Sequence, residues 1–251
     1  MTPYRKGRYE VLTATTPSDI RDAQRLRWLC FLGRSATDDQ PDALDIDDYD
    51  SRCDHVVIRD SESGMMVACF RMLTLESGAE IGDSYSARYY NLSRLRDFPG
   101  RMVELGRFCI HPEWRDPDIL RLAWGALAQH VDARQVELLF GCSSFIGTDT
   151  AGYADAFAML RERHLGPKRW LPRVKAPNVF RFARALRLKR PDPRAAMAAM
   201  PPLLRSYLAM GGWVSDHAVV DAQMDTLHVF TGLEIRAIPP GRAKLLRGTL
   251  G

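Results

Sequence analysis

Residues 102–115 read MVELGRFCIHPEWR, and the reading of this stretch decides the fold. A strand buried on both faces is a near-continuous apolar run, yet here Glu104 and Arg107 interrupt one, with Gly106 between them. An unpaired charge in such a place costs several kcal/mol. The two residues are therefore either a satisfied internal ion pair or the lining of a site. Side chains alternate along a regular strand, so positions 104 and 107 fall on opposite faces. A bulge adds one residue and turns both to the same face, and glycine inside a strand is its usual sign. The stretch thus predicts a strand bulged at Gly106, with a carboxylate and a guanidinium facing a common space. An opened ladder there leaves backbone N–H groups able to bind a carbonyl or thioester oxygen.

Downstream, Asp116 as cap and Pro117 at the first helical position predict a helix over 117–133. VELLFGCSSF then reads as another strand. Upstream, HVVIRD (55–60) and MMVACFRML (65–73) read as strands joined by the turn SESG. YEVLTA is a first strand, followed by a helix capped by Ser18 or Asp19 and running to about Gly33, with Ile20, Ala23, Leu26 and Cys30 on one stripe. Residues 76–101 are irregular and polar. Later residues predict helices at about 151–164, 178–190 and 201–210, then two closing strands, WVSDHAVV and TLHVFTGL. A strand–helix–strand centre flanked by hairpins predicts a single mixed α/β domain over 1–251, in which 165–212 is a basic helical insertion before the closing strands.

The 46% hydrophobic and 9% aromatic content of the 251 residues is that of a globular core and excludes disorder as the main state. No run of 18 apolar residues predicts a membrane span, and the N-terminal residues lack the apolar segment of a signal peptide. The five cysteines form no C-x-x-C and read as reduced thiols of a cytosolic protein. Charge is uneven: residues 38–54 hold eight acids against Arg52, and residues 161–190 hold eleven Lys and Arg against Glu162. Such asymmetry fits either two partners of opposite sign or two solvated faces. No nucleic-acid-reading motif accompanies the basic stretch, so nucleic acid is not the expected partner. The aspartates at 45, 47 and 50 lack the glycine and distal glutamate of an EF-hand loop, the histidines lack metal-ligand spacing, and no metal is expected. GCSSF is not a G-x-S-x-G elbow, and Cys142 shows no orienting group that would make it a nucleophile.

The strand VELGRFCIHP, Arg115, the Pro-led helix and ELLFGCSSFIGTD together resemble the bacterial amino-acid N-acyltransferases that begin ornithine-lipid synthesis, members of the GNAT superfamily. RLRWLCF, DIDDYDSRCDHVV and AMGGWVSDHAVVDAQMDTLHVFTGL carry the resemblance over about 25–232. A variant of that family acylates glutamine, and the motifs do not separate the two acceptors. The D-x-D-x-x-D loop, Arg71 and E-L-G-R also resemble acyl-homoserine lactone synthases, which are the alternative reading; a non-enzymatic membrane-associating protein is the alternative of another class.

The resemblance implies a splayed mixed sheet with flanking helices, and transfer of a long, 3-hydroxylated acyl group from the phosphopantetheine thioester of acyl carrier protein to an amino-acid α-amine. It implies no tightly bound cofactor. A peptide α-amine titrates near ~8, and at pH 7 its deprotonation costs about 1.4 kcal/mol per unit, so one modest base suffices. Glu104 is the expected base, with Arg107 orienting it or binding the acceptor carboxylate bidentately; Arg71 is the second candidate for that carboxylate. Asp47 or Asp50 is expected to pair with a cation, either the acceptor's ammonium or an arginine of the protein such as Arg27. Phe108, Ile110, His111, Arg115, Ser143, Ser144 and Asp149 are expected on the acyl-donor side. RDPDIL lacks the glycines that cradle a coenzyme A pyrophosphate in ordinary GNAT enzymes, which favours the single phosphodiester of the carrier protein. Arg181, Arg184 and Arg187 fall at helical spacing on the predicted basic helix, a surface for acidic acyl carrier protein or for the anionic inner face of a membrane. The expected location is cytoplasmic and peripheral.

Overall fold

The computed structural model describes residues 2–33 and 43–248, so residues 38–42 of the acidic stretch lie outside the described residues. In chain order the first elements are strands β1 (Tyr4–Lys6) and β2 (Tyr9–Thr13), helix α1 (Pro17–Phe31), and strands β3 (Asp54–Asp60) and β4 (Met66–Leu75). Then come the single turn α2 (Ser86–Tyr89), β5 (Tyr90–Asn91), β6 (Arg101–Ile110), α3 (Pro117–Arg134) and β7 (Val136–Ile146). The remainder holds α4 (Ala154–Arg163), β8 (Arg173–Val174), β9 (Val179–Phe180), the single turn α5 (Phe182–Ala185), α6 (Pro193–Ala199) and α7 (Pro202–Ala209). It closes with β10 (Trp213–Asp221), β11 (Thr226–Glu234) and α8 (Pro240–Gly248).

These elements form two compact units. The first gathers Met1–Thr74, Leu105–Val136 and Pro240–Gly251; the second gathers Leu75–Glu104 and Glu137–Pro239. In the first, the strand order is β1-β2-β3-β4-β6, with β1 to β4 pairing antiparallel in sequence. β4 is buried almost throughout, as its apolar run requires, although it contains Arg71. Helix α1 starts slightly earlier than expected: Thr16, not Ser18 or Asp19, is the cap, and Asp19 returns the bond to complete a capping box with Pro17 at the first helical position. Its residues Ala23 and Leu26 pack with Val57, Cys69 and Cys109.

In the second unit the strand order is β7-β11-β10-β9, antiparallel throughout. One face of this sheet is covered by a core of Phe145, Phe157, Leu160, Phe182, Leu204 and Val229. Residues 178–190 are not the expected helix. Val179 and Phe180 pair with Val219 and Ala218 of β10, Phe182 stacks on Phe157 with ring centroids 5.1 Å apart, and only one helical turn follows. Edge pairing and burial of Phe182 outweigh the helical period, because both satisfy the backbone and the apolar side chains at once. Arg181, Arg184 and Arg187 are nevertheless all exposed. The sequence reading also passed over β1, α6 and α8.

Candidate functional site

Three arginines and three aspartates singled out by the sequence meet in the first unit. Arg27, on α1, is fully buried; its Nε lies 2.9 Å from Asp45 Oδ2, its Nη1 lies 2.7 Å from Asp50 Oδ1, and it also donates to the Asp45 carbonyl. Arg71, on β4, donates to Asp47 (Nη2–Oδ2 3.0 Å) and Asp50 (Nη1–Oδ1 2.7 Å). Arg107, on β6, reaches Asp45 with Nε at 2.9 Å and Asp47 with Nη2 at 3.3 Å. Gln24 and His55 complete the group: the Gln24 amide donates to Asp50 at 2.9 Å, and His55 Nε2 lies 2.9 Å from the Asp50 carbonyl. Asp47 and Asp50 accept here from arginines of the protein itself.

Burial alone would raise the Asp47 and Asp50 carboxyls, but Arg71 holds Asp47 below the usual range and Arg27 holds Asp50 well below it. Burial lowers His55, which favours the neutral imidazole. Three guanidiniums against three carboxylates leave the group neutral overall, the condition under which buried charges persist.

The strand that carries Arg107 departs from the expectation in one detail. The left-handed residue is Arg107 itself, at φ 51°, not Gly106. A Cβ at Gly106 would meet open space. A left-handed residue breaks the alternation of side chains at that point.

Glu104 has partners in the second unit. Its carboxylate is buried and accepts from the Tyr85 N–H (2.7 Å, on Oε2), the Ser86 N–H (2.7 Å, on Oε1) and the Ser86 hydroxyl (2.5 Å, on Oε1). Ser86 Oγ also lies 3.4 Å from Cys142 Sγ. The register of β7 with β11 sets Cys142 opposite Phe230 and Ser144 opposite His228, so the four share one face of the ladder. Tyr89 stands edge-on to His228 at 5.0 Å, and the Tyr90 hydroxyl donates to the His228 carbonyl at 2.7 Å. Burial pushes the His228 imidazole down to about 4.

The residues expected on the donor side fall in both units. Ser144 is exposed, whereas Ser143 points to the opposite face, is buried, and accepts from Thr231 Oγ1 at 2.9 Å. In the first unit Phe108 stacks on Phe70 at 5.8 Å, and the His111 N–H donates to the Val67 carbonyl at 2.8 Å. The Ile110 carbonyl accepts from the Cys30 thiol. Arg115 is exposed, and the anion at the start of α3 is the chain's own Asp116, which accepts from the Asp118 N–H at 2.9 Å and the Tyr9 hydroxyl at 2.8 Å. A cleft of about 920 Å³ there is lined by Arg8, Arg121 and Lys244 as well as Asp116 and Asp118. Asp149 caps a turn, accepting from Ala151 N–H at 2.9 Å.

Sequence reasoning missed Tyr85, Ser86, Gln24 and His55. Nothing in SYSARYY signals that two of its backbone N–H groups hold a carboxylate 18 and 19 residues away. Among the described residues, no cluster of three or more His, Cys, Asp or Glu is arranged to hold a metal, and no helix is long and apolar enough to cross a membrane.

The architecture is mixed α/β, with a buried, hydrogen-bonded glutamate on β6. Residues 26–125 match the acetyltransferase (GNAT) domain family, and the chain is an acyltransferase of GNAT type. It is 35% identical over 239 residues to an L-ornithine N(alpha)-acyltransferase of Rhodobacter capsulatus, covering 92% of this chain and 91% of that one. A Brucella abortus protein of the same name is 29% identical over 245 residues, covering 93% and 87%. The chain belongs to the L-ornithine N(alpha)-acyltransferase family, as the resemblance in its motifs implied. An N-acyl amino acid synthase from uncultured soil microbes superposes with a TM-score of 0.49 at 8% identity, covering 94% of this chain and 93% of that one.

Proposed function

We propose that this chain moves a long, 3-hydroxylated acyl group from the phosphopantetheine thioester of acyl carrier protein to the α-amine of ornithine or glutamine, opening the synthesis of an aminolipid. The activity for which the relatives are named supports the amino-acid acceptor. The observation that carries the chemistry is Glu104, a carboxylate fixed by three hydrogen bonds at the centre of β6. In this reading Glu104 takes the ammonium proton, directly or through water, and the free amine attacks the thioester carbon. The thiol of the carrier protein's prosthetic group leaves, and no covalent enzyme intermediate forms.

The acceptor carboxylate is assigned to Arg107, with Arg71 as the second candidate. Arg181, Arg184 and Arg187 serve as the basic surface for the acidic carrier protein, and the protein works at the cytoplasmic face of the membrane that receives its product.

The test is lipid mass spectrometry of bacterial cells expressing the wild type or Glu104→Gln. A new lipid of fatty acyl plus ornithine, or plus glutamine, in the wild type alone is the expected result and names the acceptor. No N-acyl amino acid from soluble wild-type protein overturns the proposal.

A further inference from the structure

Glu104 is held by neutral donors drawn from one short segment, Tyr85 and Ser86, and one of these donors is a side chain. The Ser86 hydroxyl has a single proton, and at 2.5 Å from Oε1 it donates that proton's hydrogen bond to the Glu104 carboxylate. With the Ser86 N–H on the same oxygen and the Tyr85 N–H on the other, the carboxylate plane is fixed at both ends. Ser86 is itself fully buried, so its rotamer is set by packing and not by solvent. Its oxygen keeps lone pairs turned elsewhere, one of them 3.4 Å from the half-buried Cys142 thiol.

We propose that Ser86 is the positioning residue for Glu104. It orients the carboxylate toward the acceptor amine and stabilises its charged form. This inference rests on the reading of Glu104 as the base. The titratable groups facing Glu104 are Cys142 on β7, through Ser86, and Tyr207 on α7. Burial, and then the Glu104 charge, push the Tyr207 phenol well above its usual range, so it stays protonated throughout the working pH range.

A hydrogen bond to the charged form of an acid favours that form. Removing the hydroxyl therefore makes Glu104 easier to protonate, and activity is lost at a higher pH as the solution is acidified. Turnover falls as well, because the carboxylate is less well oriented. Acceptor affinity does not change, because Ser86 acts through Glu104 and not on the acceptor.

The experiment is steady-state kinetics of the full-length wild type, Ser86→Ala, Ser86→Thr and Glu104→Gln, with a long-chain acyl carrier protein as donor and ornithine or glutamine as acceptor, across pH 5.5–9. We expect Ser86→Ala to lower kcat about 10-fold at pH 7 and to move the acid limb of the kcat profile up by about one pH unit, with the acceptor KM within about twofold. Ser86→Thr, which keeps the hydroxyl, restores both. If Ser86→Ala does not fold, Ser86→Cys, an isostere with a weaker donor, is expected to show the same shifts in smaller measure. An Ala or Cys profile superimposed on wild type, or a raised KM at unchanged kcat, overturns the inference. Glu104→Gln separates the two levels. If it is inactive while Ser86→Ala behaves as wild type, only the role of Ser86 falls; if it turns over normally, the base itself is misassigned.

Discussion

Two sets of buried or half-buried carboxylates in this molecule are held in different ways. In the first unit Asp45, Asp47 and Asp50 face Arg27, Arg71 and Arg107, charge against charge. In the second, Glu104 is held by two backbone N–H groups and a hydroxyl. A network of full charges is rigid and intolerant, since deleting one member strands its opposite in a poorly solvated place. A carboxylate held by neutral dipoles keeps a charge that responds to a proton, which is what a base must do. Under the proposed function it is Glu104 that reacts.

The largest effect expected from this contrast is on stability. Arg27→Met leaves Asp45 and Asp50 facing an apolar side chain and is expected to cost about 3–5 kcal/mol in urea denaturation. Glu104→Gln turns one amide N–H toward a backbone donor and is expected to cost only about 1–3 kcal/mol. If Glu104→Gln were the more damaging of the two, the contrast would be reversed.

A second difference appears on acidification. His228 is neutral in the folded protein down to about 4, whereas an unfolded histidine takes up a proton near 6.5. The unfolded state therefore binds more protons between these values, and stability falls as pH drops through that window, by about 3 kcal/mol in all from this residue. His55, also lowered by burial, adds to the fall with the same sign. The contributions of Asp47 and Asp50 are retained until pH drops below the ordinary aspartate value near ~3.9, because Arg71 and Arg27 lower their folded values. Denaturation at pH 7 and pH 4.5 should show a smaller acid loss in His228→Gln than in the wild type; equal losses would remove His228 from this account.

The smallest effect concerns neither set. Arg184→Glu with Arg187→Glu should leave kcat alone and raise the KM for acyl carrier protein several-fold, with a wild-type KM that itself rises with salt. An unchanged KM would show that this surface does not meet the carrier protein.

Much of this was legible in the sequence wherever one element carries its own signal. Asp116 and Pro117 announce α3, and the apolar runs announce β3, β4, β10 and β11. Arg27 was one of the cations expected for Asp47 or Asp50, and it lies against Asp50. Ser86 was invisible, because its role depends on a contact across 18 residues from an irregular segment with no period to read. The basic stretch was misread for a different reason. VFRFARALRL satisfies an amphipathic helix and an edge strand with a turn equally well, and only the unpaired edge of β10 decides between them. The left-handed backbone on β6 falls at Arg107, one residue past the glycine at which a bulge was expected.

That offset has a consequence for anyone redesigning the chain. Left-handed backbone at a residue bearing a side chain costs roughly 1–2 kcal/mol, and local preference would write glycine or asparagine at position 107. The protein keeps arginine there, with its guanidinium against Asp45 and Asp47. A sequence optimised for local comfort would correct this position first, and in doing so would erase one of the three cations on which the acidic loop is seated.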